Sequence, residues 1–231
     1  FNAPNVNISP AKIFASKETP GDFRIVYTAP NSFGVFTFQN GSILSNNTLH
    51  IGSTAQELPL GLLEVAPNDF LIHGTSWART GNFTSSILRL RNERLQWAKG
   101  FSICEDFTNL GFFSGIAQQD SSIYAIGSSR NTACGSPDSD FSAVKLNFQG
   151  DIQSQVSFIP TNGVSSDGMF FLQAYNKIFY YGGFSTLVPC GGGNFQSPGL
   201  GTFDANLQNR RWWTYEGVGF DLNGIIYQAH P

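Results

Sequence analysis

Charge is what this chain has least of: 13% of its 231 residues are Asp, Glu, Lys or Arg, and the formal net charge is −3. Without clustered cations there is no electrostatic case for nucleic acid or for an anionic membrane surface. Methionine occurs once, and cysteine and histidine three times each. No cysteine has another cysteine or a histidine at ligand spacing, which argues against a metal centre. No apolar run is long enough to span a bilayer. No Gly-x-Ser-x-Gly nucleophile turn and no phosphate loop occur, and Gly191-Gly192-Gly193 lacks the Lys and helix that a phosphate cradle needs. No cofactor is expected.

Ser, Thr, Asn, Gln and Gly fill the place of charge. The chain holds 22 Phe and 25 Gly, a composition that favours strands and turns over helices. Its length suits one all-β domain with a sizeable core. The chain opens at Phe1 rather than Met, as expected of a mature form or a fragment.

Residues 120–159 show the plan. Ile123, Ala125 and Gly127 alternate with Tyr124 and Ile126, a period of two that predicts a strand ending at the glycine. Residues 141–147 predict a second strand. Gln149-Gly150-Asp151 predicts a turn, and residues 152–159 a third strand. Similar units occupy residues 22–51, 60–101 and 168–215. Asn40-Gly41 is the strongest hairpin signal, because a type I′ turn needs positive φ at both positions. When the units are aligned, Gly74, Gly127 and Gly182 coincide, with Tyr27 in that place in the first. Spacing of about 50 residues is in the range of propeller blades. The fold class is therefore all-β, a β-propeller of about four four-stranded blades in one domain over residues 21–231.

The ends allow two closures. Ile226-Tyr227-Gln228-Ala229 resembles Leu172-Gln173-Ala174, so the C-terminal strand could pair with the N-terminal blade and close the ring; this is the preferred reading. Alternatively, Lys12-Ile13-Phe14-Ala15 is itself the first strand of that blade. Residues 1–20, with Pro4, Pro10 and Pro20, are otherwise a flexible leader or a connector strand.

One unit carries a family signature. Asp120, Gly127-Ser128-Ser129, Asp140-Phe141, Lys145-Leu146, Gly150 and Ile152 follow the pattern of the bacterial-type β-propeller repeat of secreted proteins, the SBBP repeat. The second unit resembles it more loosely through Asp69, Gly74-Thr75-Ser76, Arg89-Leu90 and Leu95-Gln96-Trp97. The resemblance implies an extracellular propeller and brings no catalytic residues with it.

Cys134 and Cys190 fall at matching places in the loops after Gly127 and Gly182, and Cys104 lies between the second and third units. One disulfide with one thiol left over is expected; Cys134–Cys190 and Cys104–Cys134 both remain open. Glycosylation sequons begin at Asn7, Asn40, Asn46 and Asn82.

Three functions remain. The preferred one is a non-catalytic extracellular module for structure or assembly, with itself or another extracellular protein as partner. Ile13, Phe14, Trp212 and Trp213 are its candidate contacts, since one of two adjacent strand tryptophans must face outward. The second is a lectin-like glycan binder using Trp77, Phe83 and Phe195, aromatics among polar uncharged neighbours that suit sugar rings. The third is a propeller glycosidase, which needs paired carboxylates; Glu64 and Asp167 are the candidates. The Asp-box of sialidases is absent. His50, His73 and His230 read as structural.

Overall fold

The alternation of apolar side chains becomes strands throughout. The computed structural model describes residues 9–16, 20–29, 32–49, 56–77, 83–101, 111–130, 139–158, 166–187, 195–214, 219–220 and 226–227. Among these there is no helix, and none is therefore long and apolar enough to cross a membrane.

Four antiparallel four-stranded sheets follow one another along the chain, each a meander in sequence order. The first is β1 Ser9–Ala15, β2 Phe23–Ala29, β3 Ser32–Gln39 and β4 Ser42–Leu49. The second is β5 Gln56–Ala66, β6 Asp69–Trp77, β7 Phe83–Arg91 and β8 Arg94–Phe101. The third is β9 Gly111–Gln119, β10 Ser122–Arg130, β11 Ser139–Asn147 and β12 Ile152–Phe158. The fourth is β13 Ser166–Tyr175, β14 Ile178–Leu187, β15 Phe195–Asp204 and β16 Arg211–Thr214. A two-stranded sheet, β17 Gly219–Phe220 with β18 Ile226–Tyr227, ends the described chain.

The aligned glycines do not end their strands. β10 runs on to Arg130, and its register against β9 slips between Ile126 and Gly127. β5 slips opposite Gly74, between Pro59 and Gly61, and β13 slips opposite Gly182, between Met169 and Phe171. In the first sheet the slip lies between Ser9 and Lys12, opposite Thr28 and Val26, the residues flanking Tyr27. The repeated position is thus a β-bulge between the first two strands of each four-stranded sheet. A bulge bends its strand and tightens the twist, and glycine opposite it leaves room for the displaced backbone.

The closure through the C-terminus is corrected. β18 pairs with β17, and the edge beside β2 is taken by β1, with Phe14 opposite Arg24 and Ala15 opposite Phe23. A hairpin between strands adjacent in sequence closes a short loop, whereas pairing the two ends of the chain closes a long one. Residues 9–15 of the expected leader are therefore part of the first sheet. Phe14 packs on its core; Ile13, one residue away, is 68% exposed.

The described chain divides into two compact units, residues 1–102 and 103–231. In the first unit, Val26 and Val35 pack against Ile72, Leu88 and Leu90, with Phe14 and Leu62 at the margin. The other face of the first sheet carries stacked rings, Phe23 on Phe38 and Tyr27 on Phe36. In the second unit, Tyr124, Ile126 and Ala143 pack against Phe179, Tyr181 and Phe203. Tyr124 Oη and Lys145 Nζ both donate to the Ala205 carbonyl, at 3.0 and 3.1 Å, tying the third sheet to the loop after β15.

Candidate functional site

The carboxylates that define the best candidate site belong to the first unit. Glu64 stands near the end of β5, opposite Phe70 of β6, beside a second register slip between Glu64 and Ala66. Ser16, just past β1, donates its hydroxyl to Glu64 Oε2 at 3.0 Å. The Ser16 N–H donates to the Asp22 carbonyl at 2.9 Å. These bonds bring the turn between β1 and β2 against the end of β5.

That turn passes through Gly21 at φ +90° and delivers Asp22 and Arg24 to the same face of β2, since residues two apart on a strand share a face. Both are 7% exposed. Asp22 Oδ1 and Arg24 Nε are sealed from solvent and have no hydrogen-bond partner. The Arg24 guanidinium lies 5.0 Å from the centre of the Phe70 ring, and its other polar contact is a long bond, 3.5 Å, to the Phe23 carbonyl. Arg24 thus packs on Phe70, and Ser16 links the Asp22 backbone to the Glu64 carboxylate. The sequence pointed to Glu64; it did not point to Asp22 or to Arg24, which Phe70 of the second sheet covers.

A second acidic centre in the same unit is structural. Arg89 grips the buried Asp69 with two bonds, Nε to Oδ1 at 2.8 Å and a terminal nitrogen to Oδ2 at 2.6 Å. The hydrogen bonds to Asp69 raise the Arg89 pKa, against the effect of burial.

The remaining sequence candidates are dispersed. Cys104, Cys134, Cys190, Asn7, Asn82, His50 and His230 lie outside the described residues. Asn40 occupies the exposed turn between β3 and β4 at φ +50°, with Gly41 at +77°. Asn46 lies within β4, paired with Phe36. Trp77 and Phe83 are direct cross-strand partners at one end of the second sheet, and Phe195 pairs with Leu187 at the corresponding end of the fourth. Asp167 sits at a register slip of β13, between Ser166 and Gly168. His73 is buried, its ring packed over Gly61. Trp213 is 48% exposed and stands on β16 beside Trp212. Among the described residues no group of His, Cys, Asp and Glu is arranged to hold a metal ion.

No protein family matches the chain, and no curated protein does. Solved structures do. The Penicillium chrysogenum α-L-arabinanase complexed with arabinobiose superposes with a TM-score of 0.58 at 9% identity, over 95% of this chain and 69% of that one. An endo-arabinase from Bacteroides thetaiotaomicron gives 0.54 at 12% identity, over 94% and 86%. A subtype N10 neuraminidase-like protein of the A/little yellow-shouldered bat/Guatemala isolate gives 0.52 at 12% identity over 90% of this chain. The chain spans 58% of that protein's length.

The likeness is one of fold, and the fold is of the β-propeller kind. It overturns the expectation of a non-catalytic structural module. The similar folds include arabinan-degrading enzymes, and Phe14, offered as an assembly contact, is packed on the core of the first unit. The case against an enzyme rests on missing nucleophile and phosphate motifs, an absent Asp-box and few acids at inner-strand positions. Carboxylate-based hydrolysis needs neither a nucleophile turn nor a phosphate loop, because its acids come from separate strands and leave no contiguous motif.

Proposed function

We propose that this protein is an extracellular propeller glycoside hydrolase acting on a neutral polysaccharide, with its sheets as blades and Glu64 as one of its catalytic carboxylates. The observation that carries the reading is the fold shared with two arabinan-cleaving enzymes. The site agrees with it: Glu64 lies on the first strand of its sheet and is oriented by the Ser16 hydroxyl. Glycosidic cleavage uses one carboxyl group to protonate the leaving oxygen and a second to act as nucleophile or to activate water. Glu64 is assigned to this pair. The surface rich in uncharged polar residues and poor in cations suits a neutral glycan as partner.

Release of reducing ends from arabinan and xylan tests the proposal. Glu64→Gln, which keeps the shape and removes the ionisable group, is expected to reduce the rate at least 100-fold. Undiminished activity in that variant removes Glu64 from the mechanism.

Glycan binding without hydrolysis is the second reading. It is favoured by the scarcity of acids on first strands: β1 and β9 contain no Asp or Glu. Trp77 and Phe83, joined by strand register, are its contact residues.

A further inference from the structure

The sequons at Asn7, Asn40, Asn46 and Asn82 differ in their surroundings. Asn7 and Asn82 lie outside the described residues. Asn46 lies inside β4, in register with Phe36 of β3. Asn40, Gly41 and Ser42 are all exposed. The two turn residues take φ +50° and +77°, so the chain reverses here and carries the asparagine at the tip of a hairpin. A methyl group on Gly41 would meet nothing within 4 Å. Open space on every side is what a bulky, solubilising modification needs once the chain has folded.

The strand that leaves this turn supplies a second observation. β4 is the last strand of its sheet, and its sequence SILSNNTL holds no charged residue and no proline. Charge and proline are common protections of an edge strand; β8, the last strand of the second sheet, has Arg94 and Lys99. Ile43 is 38% exposed and Leu44 63%. The ladder slips between Thr37 and Phe38, so that Ile43 pairs with Phe38 and Leu44 has no direct partner on β3. An uncharged edge with two exposed aliphatic side chains invites association unless something covers it.

We propose that Asn40 carries an N-linked oligosaccharide, and that this glycan covers Ile43 and Leu44 at the edge of β4. In the attachment step Asn40 Nδ2 displaces the diphosphate from C1 of a polyprenyl-diphosphate-linked oligosaccharide. The N–C1 bond forms, the C1–O bond breaks, and the amide gives up one proton as the diphosphate leaves. Ser42 supplies the hydroxyl that the acceptor motif requires two residues on. Ile43 is three residues from the attachment point, about 11 Å of chain at most, within reach of the first sugars. The inference rests on the extracellular part of the reading above and is independent of hydrolysis, since Asn40 belongs to the first sheet and Glu64 to β5 of the second.

The test is peptide mass mapping of the full chain, secreted from cultured eukaryotic cells behind an added, cleavable signal peptide. Peptide N-glycosidase converts a glycosylated asparagine to aspartate and so marks it by mass. The peptide bearing Asn40 is expected to be glycosylated in most wild-type molecules, bare in Ser42→Ala and glycosylated again in Ser42→Thr. Ser42→Ala leaves the Asn-Gly turn intact, so the hairpin is preserved. Light scattering reads the covering role. Ser42→Ala is expected to associate at concentrations at which the glycosylated chain is monodisperse, and adding Leu44→Ser is expected to reverse this. A bare Asn40 in the secreted wild type, or sugar on that peptide that survives Ser42→Ala, overturns the attachment site. A Ser42→Ala chain as dispersed as the wild type overturns the covering role. Because the signal peptide is supplied, a bare Asn40 counts against the site and not against the protein's location. Neither readout involves arabinan or xylan, so this inference and the hydrolase reading fail separately.

Discussion

Ser16 donates its hydroxyl to Glu64 across 48 positions of sequence, from the turn after β1 to the end of β5. The bond is partly buried and involves an ionised acceptor, so its removal should be felt in stability. Ser16→Ala is expected to destabilise the fold by about 1–2 kcal/mol. In the Glu64→Gln background the same substitution should cost about half as much, because a neutral acceptor is the weaker partner. Urea unfolding of the two single variants and the double variant measures the coupling. Equal costs in both backgrounds would mean that the hydroxyl does not act through the carboxylate.

Arg89 and Asp69 present the opposite arrangement, a buried carboxylate fully engaged by one guanidinium. Arg89→Met leaves Asp69 charged and buried, with Arg91 Nε 3.9 Å away as its remaining cationic neighbour. The expected loss is about 3 kcal/mol. Adding Asp69→Asn should restore at least about 1 kcal/mol of it, because the charge is then gone. Chemical denaturation of both variants checks the order.

Two tyrosines rest on glycines of the neighbouring strand. Tyr27 lies opposite Gly34 and Tyr181 opposite Gly201, and a methyl group on either glycine would overlap the phenol ring. Gly34→Ala and Gly201→Ala are each expected to cost about 1–3 kcal/mol as the ring is forced from its place. Pairing Gly34→Ala with Tyr27→Leu should recover part of the loss, as melting temperatures will show.

Asp204 anchors the loop between β15 and β16. Its Oδ1 accepts the N–H groups of Asn206 and Gln208, and its Oδ2 accepts the Asn209 amide. Partial burial opposes its ionisation, but these bonds and the charge of Lys145 hold its pKa below the ordinary value. A carboxyl lowered on folding contributes stability above its unfolded pKa and loses that contribution as pH falls through the folded one. Wild type should therefore exceed Asp204→Asn at neutral pH by a small margin, about 0.5–1 kcal/mol for so exposed a group. The margin should close on acidification. A margin that is constant with pH would show that shape, not charge, holds the loop.

Much of the fold was legible in the residues. Period-two alternation outlined all four sheets apart from β1, which the preferred reading placed in the leader, and Asn40-Gly41 fixed a hairpin whose two turn residues do take positive φ. The repeat glycine was found but misread: composition shows that Gly74, Gly127 and Gly182 recur, and only pairing shows that each faces a bulge. Asp69 lies within β6 and meets Arg89, whereas Asp120 lies in an exposed turn at φ +53° and Lys145 reaches the Ala205 carbonyl. The candidate site was half legible. Glu64 stood out as a rare acid on a first strand. Arg24 looks like an ordinary polar residue beside a turn until Phe70 of the second sheet covers it, and burial by a distant segment leaves no local trace in sequence.

The most direct test of the account is hydrolysis of arabinan and xylan by the purified chain, read as reducing ends released over time beside Glu64→Gln. The account predicts release by the wild type and a loss of at least about 100-fold in the variant. Equal release by both, or none by the wild type on either polymer, would contradict it.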